Sequence, residues 1–131
     1  MIEIKDNFLD KTLFLKIKNL MIDSYMPWFF NNEINEVNNK DYYFTHLFVN
    51  DNKSVSSLSK DIITPLMNNI NHKKILKAKA NLFLKQNINT EYGFHTDYPK
   101  DFKHTTILFA INTNNGYTEF EDGTKIESIE N

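Results

Sequence analysis

A chain of 131 residues, 40% hydrophobic and 24% charged, is long enough for one domain with a real core and has the composition of an ordinary globular protein. Its net charge of −2, carried with scattered Lys and no Arg, excludes a basic stripe for nucleic acid, and the absence of Cys excludes disulfides and thiolate metal sites. The N-terminus carries acids without an apolar stretch, and the longest purely apolar run, residues 26–30, is too short to cross a membrane, so a cytoplasmic protein without signal peptide or membrane partner is expected.

Aromatic residues make up 14% of the chain, 11 of them Phe, which favours strands over an all-helical bundle. Ile2-Glu3-Ile4 alternates as a short strand would. Asp10 is placed to cap a helix over residues 11–22, whose apolar Leu13, Phe14, Ile17, Leu20 and Met21 follow helical spacing. Residues 28–30 and 42–49 read as strands. Ser59, or a neighbouring Ser, is expected to cap a second helix carrying Ile62, Ile63, Leu66, Met67 and Ile70, although Pro65 suits only its first turn.

The second half changes character. Residues 75–85 read as one longer strand, 94–97 as a short one, and 105–111 as a strand apolar on both faces. Asn114-Asn115-Gly116 marks a turn, and Asp122-Gly123 joins residues 117–120 and 125–129 as a hairpin. Helices first and antiparallel strands after predict a mainly β protein with N-terminal helices (α+β), the helices packed on one face of a β-sandwich or jelly roll. The expected organisation is a single domain, with residues 1–74 as a supporting region and 75–131 as the first part of the core.

The densest chemical signal is His95-Thr96-Asp97, within Tyr92-Gly93-Phe94-His95-Thr96-Asp97-Tyr98-Pro99. On an extended backbone residues two apart point to one side, with Cα atoms about 6.6 Å apart, so both side chains can reach one metal ion. Two His and one carboxylate, with positions left open, suit non-heme Fe(II) chemistry. The bland alternative is a strand His and a turn Asp, both solvated. Gly93 before the pair, Tyr98-Pro99 ending the strand after it, and the apolar run that follows shift the balance toward metal.

In order and spacing, residues 79–123 resemble the 2-oxoglutarate- and Fe(II)-dependent oxygenases, in their prolyl-hydroxylase-like branch. The matching pieces are Ala80-Asn81-Leu82-Phe83-Leu84, the His95-Thr96-Asp97 pair, Thr106-Ile107-Leu108-Phe109-Ala110-Ile111-Asn112, and Asn115-Gly116-Tyr117-Thr118-Glu119-Phe120, which is similar to a Gly-Gly-x-Thr-x-Phe segment. The resemblance implies a double-stranded β-helix, a jelly roll. It implies His95 and Asp97 as Fe(II) ligands, and Leu108 and Thr118 facing a 2-oxoglutarate cosubstrate. The implied reaction converts 2-oxoglutarate to succinate and hydroxylates an unactivated C–H bond of an unidentified peptide or small molecule.

The family also needs a second His and, beyond it, a basic residue for the far carboxylate of 2-oxoglutarate. Beyond Asp97 the only His is His104, at the start of the next expected strand and too early to match. Phe83 and Ala110 stand where some relatives carry a polar group. The chain therefore reads as an incomplete jelly roll lacking its last core strands, a C-terminally truncated oxygenase expected to be marginally stable alone. The competing readings are a non-catalytic jelly-roll module for binding or phage structure, and a cupin-type metal enzyme that does not use 2-oxoglutarate.

Other residues read more simply. His46 alternates with Tyr42, Phe44 and Phe48 and suits a core edge, His72 a solvated loop, and His104 a strand edge near solvent. Glu119, Glu121 and Asp122 suit a solvated hairpin, and Asp101 and Lys103 suit loop charges.

Overall fold

Strand β2, Tyr43–Asn50, is built from aromatic and β-branched residues that favour a pleated, half-buried surface, and the N-terminal half of the chain assembles around it. A computed structural model describes residues 2–32, 42–88 and 90–131. It divides into two compact units, Leu9–Lys85 and Met1–Phe8 with Gln86–Asn131.

In the first unit, helix α1, Lys11–Ile22, begins where the Asp10 carboxylate accepts a 3.0 Å hydrogen bond from the Leu13 amide, the expected cap. Its Phe14 and Ile17 are buried. Strand β1, Phe29–Asn31, pairs antiparallel with β2, placing Phe30 opposite Phe44. β2 turns back through Asp51 and Asn52 into the short β3, Lys53–Ser54. Both turn residues have positive φ, 44° and 60°, a conformation that Asp and Asn tolerate and that fits a tight two-residue hairpin.

Helix α2, Ser59–Met67, follows, and β4, Lys77–Leu82, lies antiparallel along β2. A strand has two edges; β4 takes one along nearly its whole length, so β1 and β3 share the other. The β2–β4 register slips between Leu47 and Val49, a bulge centred on Phe48. Leu9, Phe14, Ile17, Met26, Phe48, Val49, Ile62, Ile63 and Ala80 form the hydrophobic core.

The second unit is held differently. β5, Tyr117–Glu119, and β6, Lys125–Glu127, form the expected hairpin. The loop is three residues long rather than two: the Phe120 amide donates to the Thr124 carbonyl, and Gly123 takes a φ of 84°. Outside the ladder the pairing continues irregularly, from the Asn114 amide to the Ser128 carbonyl, the Ser128 amide to the Gly116 carbonyl and the Asn131 amide to the Ala110 carbonyl. Phe8 packs edge-on to Phe109, with centroids 6.1 Å apart. None of the described residues of this unit is buried.

Among the described residues the architecture is thus antiparallel sheets with two helices, and several expectations need correction. Residues 2–4, 94–97 and 105–111 form no ladder, and the long strand expected over 75–85 contracts to β4. Ile107 and Leu108 are 49% and 70% exposed; an apolar run becomes a strand only where a neighbouring strand forms a ladder with it, and among the described residues no ladder includes 105–111. The expected helix cap is displaced: Ser59 is the first residue of α2, preceded by Leu58 without a side-chain cap. Pro65 lies late in α2, not in its first turn, and the helix stops at Met67 before reaching Ile70. Among the described residues the strands make one four-stranded and one two-stranded open sheet, not a barrel. No helix among them is long and apolar enough to cross a membrane.

Candidate functional site

Residues 95–97 lie outside any helix or strand, and the chain bends at Asp97-Tyr98 before a turn closed by the Phe102 amide on the Pro99 carbonyl at 2.9 Å. Both side chains are exposed. The His95 Nδ1 faces the Gly93 carbonyl at 3.4 Å, a long contact, and Nε2 has no partner among the described residues. The Asp97 carboxylate has no hydrogen bond or ion pair among the described residues. Gly93 is not demanded by close approach, since a Cβ there would meet nothing within 4 Å.

The neighbouring residues are engaged elsewhere. Tyr98 stacks on Phe102 at 5.2 Å and meets His104 edge-on at 5.0 Å, while His104 Nδ1–H donates to the Phe102 carbonyl at 2.7 Å. His104 is an exposed member of an aromatic cluster. Lys100 pairs with Glu121 at 3.6 Å on the surface, a contact worth little in water. Among the described residues no group of three or more His, Asp or Glu is placed to hold one metal ion.

Leu108 is 70% exposed, and Thr118 is half-buried in β5 opposite Ile126. No hydrogen bond links either to His95 or Asp97 among the described residues. Beside Thr118 the hairpin carries its own electrostatics. The Tyr117 hydroxyl donates a short hydrogen bond to Glu91, which raises the Tyr117 pKa. Lys125 pairs with Glu119 at 3.0 Å, and that hydrogen bond raises the Lys125 pKa.

A concave site exists in the other unit. An open groove of about 600 Å³ is lined by Phe29, Thr45, His46, Val55, Ser56 and Ser57, among others. His46, expected at a core edge, is 4% exposed and bonded at both ring nitrogens: Nδ1 lies 2.7 Å from the Pro27 carbonyl and Nε2 2.7 Å from Ser56 Oγ. Ser56 escaped the sequence reading. The hydroxyl-rich Ser54-Val55-Ser56-Ser57-Leu58-Ser59 run signals a helix start, but no spacing in it points to His46. No family model matches the sequence, and no curated protein or solved structure is detectably similar to it.

Proposed function

We propose that the segment containing His95 and Asp97 belongs to a 2-oxoglutarate- and Fe(II)-dependent hydroxylase acting on an unidentified peptide or small molecule, with the jelly roll as its finer fold. The observation that carries this reading is the state of the two donors. An exposed imidazole, contacted only at Nδ1 among the described residues, and an exposed carboxylate with no partner among them stand two residues apart outside any helix or strand. Imidazole and carboxylate suit Fe(II), which in this class, with 2-oxoglutarate bound, supplies the oxygen activation for C–H hydroxylation. The order of the surrounding motifs supports the same class.

The donor set is incomplete for the full reaction. A third ligand is not grouped with the pair among the described residues, and neither the groove at His46 nor the one lined by Val49, Ile63 and Met67 includes Leu108 or Thr118. The imidazole and the carboxylate fit the metal, and two ligands by themselves define no catalytic step. What they do is present two ligands without prior desolvation or ion-pair breakage.

Titration with Mn(II), followed by paramagnetic broadening of the histidine ring signals, tests this directly. His95 should broaden first, ahead of His46, His72 and His104, and His95→Ala or Asp97→Ala should abolish the selective effect. Anaerobic Fe(II) titration with and without 2-oxoglutarate then separates the oxygenase reading from a cupin-type site, because only the former predicts coupling between metal and cosubstrate. Uniform broadening of all four histidines, unchanged in both variants, would leave a non-catalytic module as the better reading.

A further inference from the structure

We propose that Ser56 and His46 form a hydroxyl–imidazole pair able to transfer an acyl group from small, apolar esters or thioesters, a site separate from His95 and Asp97. The His46 Nδ1 lies 2.7 Å from the Pro27 carbonyl, which can only accept, so Nδ1 carries the hydrogen. In the neutral ring Nε2 is then an acceptor, and the group 2.7 Å from it, Ser56 Oγ, is the donor. The Ser56 hydroxyl is thereby aimed at a base, with the base held in one tautomer by a third group. That arrangement is the signature of an activated nucleophile.

Two further features suit the oxygen for attack. Ser56 Oγ accepts the Leu58 amide hydrogen at 3.2 Å, just before the first turn of α2, where the amide and the helix dipole favour negative charge on oxygen. The imidazole is also fixed by its neighbours, with Phe48 4.6 Å and Phe29 6.2 Å from it, centroid to centroid. Ser56 nevertheless opens onto the groove of about 600 Å³, a size that admits a small ligand. Phe29 and Val55, 61% and 55% exposed, give that groove apolar walls, and the Ser57 hydroxyl adds a polar group on the same surface.

In the reaction, Ser56 Oγ bonds to the acyl carbon as its proton passes to His46 Nε2. The bond from that carbon to the leaving oxygen or sulfur breaks, and the leaving group takes the proton from Nε2. Water then attacks the acyl-serine in the same way, releasing the carboxylic acid and restoring the Ser56 hydroxyl. The Pro27 carbonyl is uncharged, so it orients the imidazole without the ionic support a carboxylate would add to the imidazolium. Slow turnover of activated esters is therefore the expectation.

The full chain treated with a fluorophosphonate probe should gain one adduct, and peptide mapping should place it on Ser56. Ser57→Ala should label normally and Ser56→Ala should not. Absence of an adduct, or an adduct on another residue, overturns the proposal. Ser56→Cys provides a second readout, since a thiol against the imidazole should react with iodoacetamide at neutral pH about 10-fold faster than free cysteine. A rate equal to that of free cysteine overturns activation by His46 and leaves Ser56 a turn residue only.

Discussion

The Ser59 hydroxyl donates a 2.7 Å hydrogen bond to the Phe48 carbonyl, fastening the first turn of α2 to the bulge in β2. The same carbonyl accepts the Val55 amide at 2.9 Å, so both of its acceptor positions are used. One oxygen thus joins the central strand, the segment after β3, and the helix.

Ser59→Ala should cost about 1 kcal/mol of stability. The loss stays modest because the Phe48 carbonyl keeps its Val55 partner. The urea midpoint is the measurement. A shift several times larger would mean that the bond holds α2 in place rather than trimming its attachment.

The two units should respond very differently to removal of a leucine-sized side chain. Ile62 is 1% exposed in the core of Leu9–Lys85, so Ile62→Ala should destabilise by about 2–5 kcal/mol. Leu108 is 70% exposed, so Leu108→Ala should stay within about 0.5 kcal/mol. The pair also tests the jelly-roll expectation for residues 105–111. A loss of core size on Leu108→Ala would return that segment to a barrel interior.

These contrasts explain which features were legible in the sequence. α1 could be read because its signals are local: Asp10 caps the Leu13 amide three residues on, and Phe14 and Ile17 recur at helical spacing. The β5–β6 hairpin is equally local, since Asp122-Gly123 carries its own turn chemistry. Residues 105–111 were misread because an apolar run records a demand for burial but does not name the strand that would meet it. The His46 contacts lay beyond reach for the same reason. Its two partners stand 19 and 10 residues away, and only the β2–β3 hairpin and the start of α2 bring Ser56 to it. The His95–Asp97 pair was visible as a motif, whereas its unpaired backbone could not be read from spacing.

Acid should loosen the β5–β6 hairpin from its turn. The Asp122 carboxylate accepts the Thr124 amide hydrogen at 2.9 Å, and that bond, aided by the Thr124 hydroxyl, holds the Asp122 pKa below its ordinary 3.8. A carboxyl whose folded pKa is depressed contributes stability above its unfolded pKa and loses it as pH falls through the folded value. The hairpin should therefore be indifferent to pH near neutrality and loosen only in acid below the usual carboxylate range. In an NMR titration the Asp122 carboxyl carbon should give a midpoint below 3.8, and the Thr124 amide proton should move with the same midpoint. In Asp122→Asn the side-chain acceptor remains but cannot titrate, so the Thr124 shift should vanish. An Asp122 midpoint at or above 3.8, or a Thr124 amide that ignores it, would show that the turn is held by Gly123 and the backbone alone.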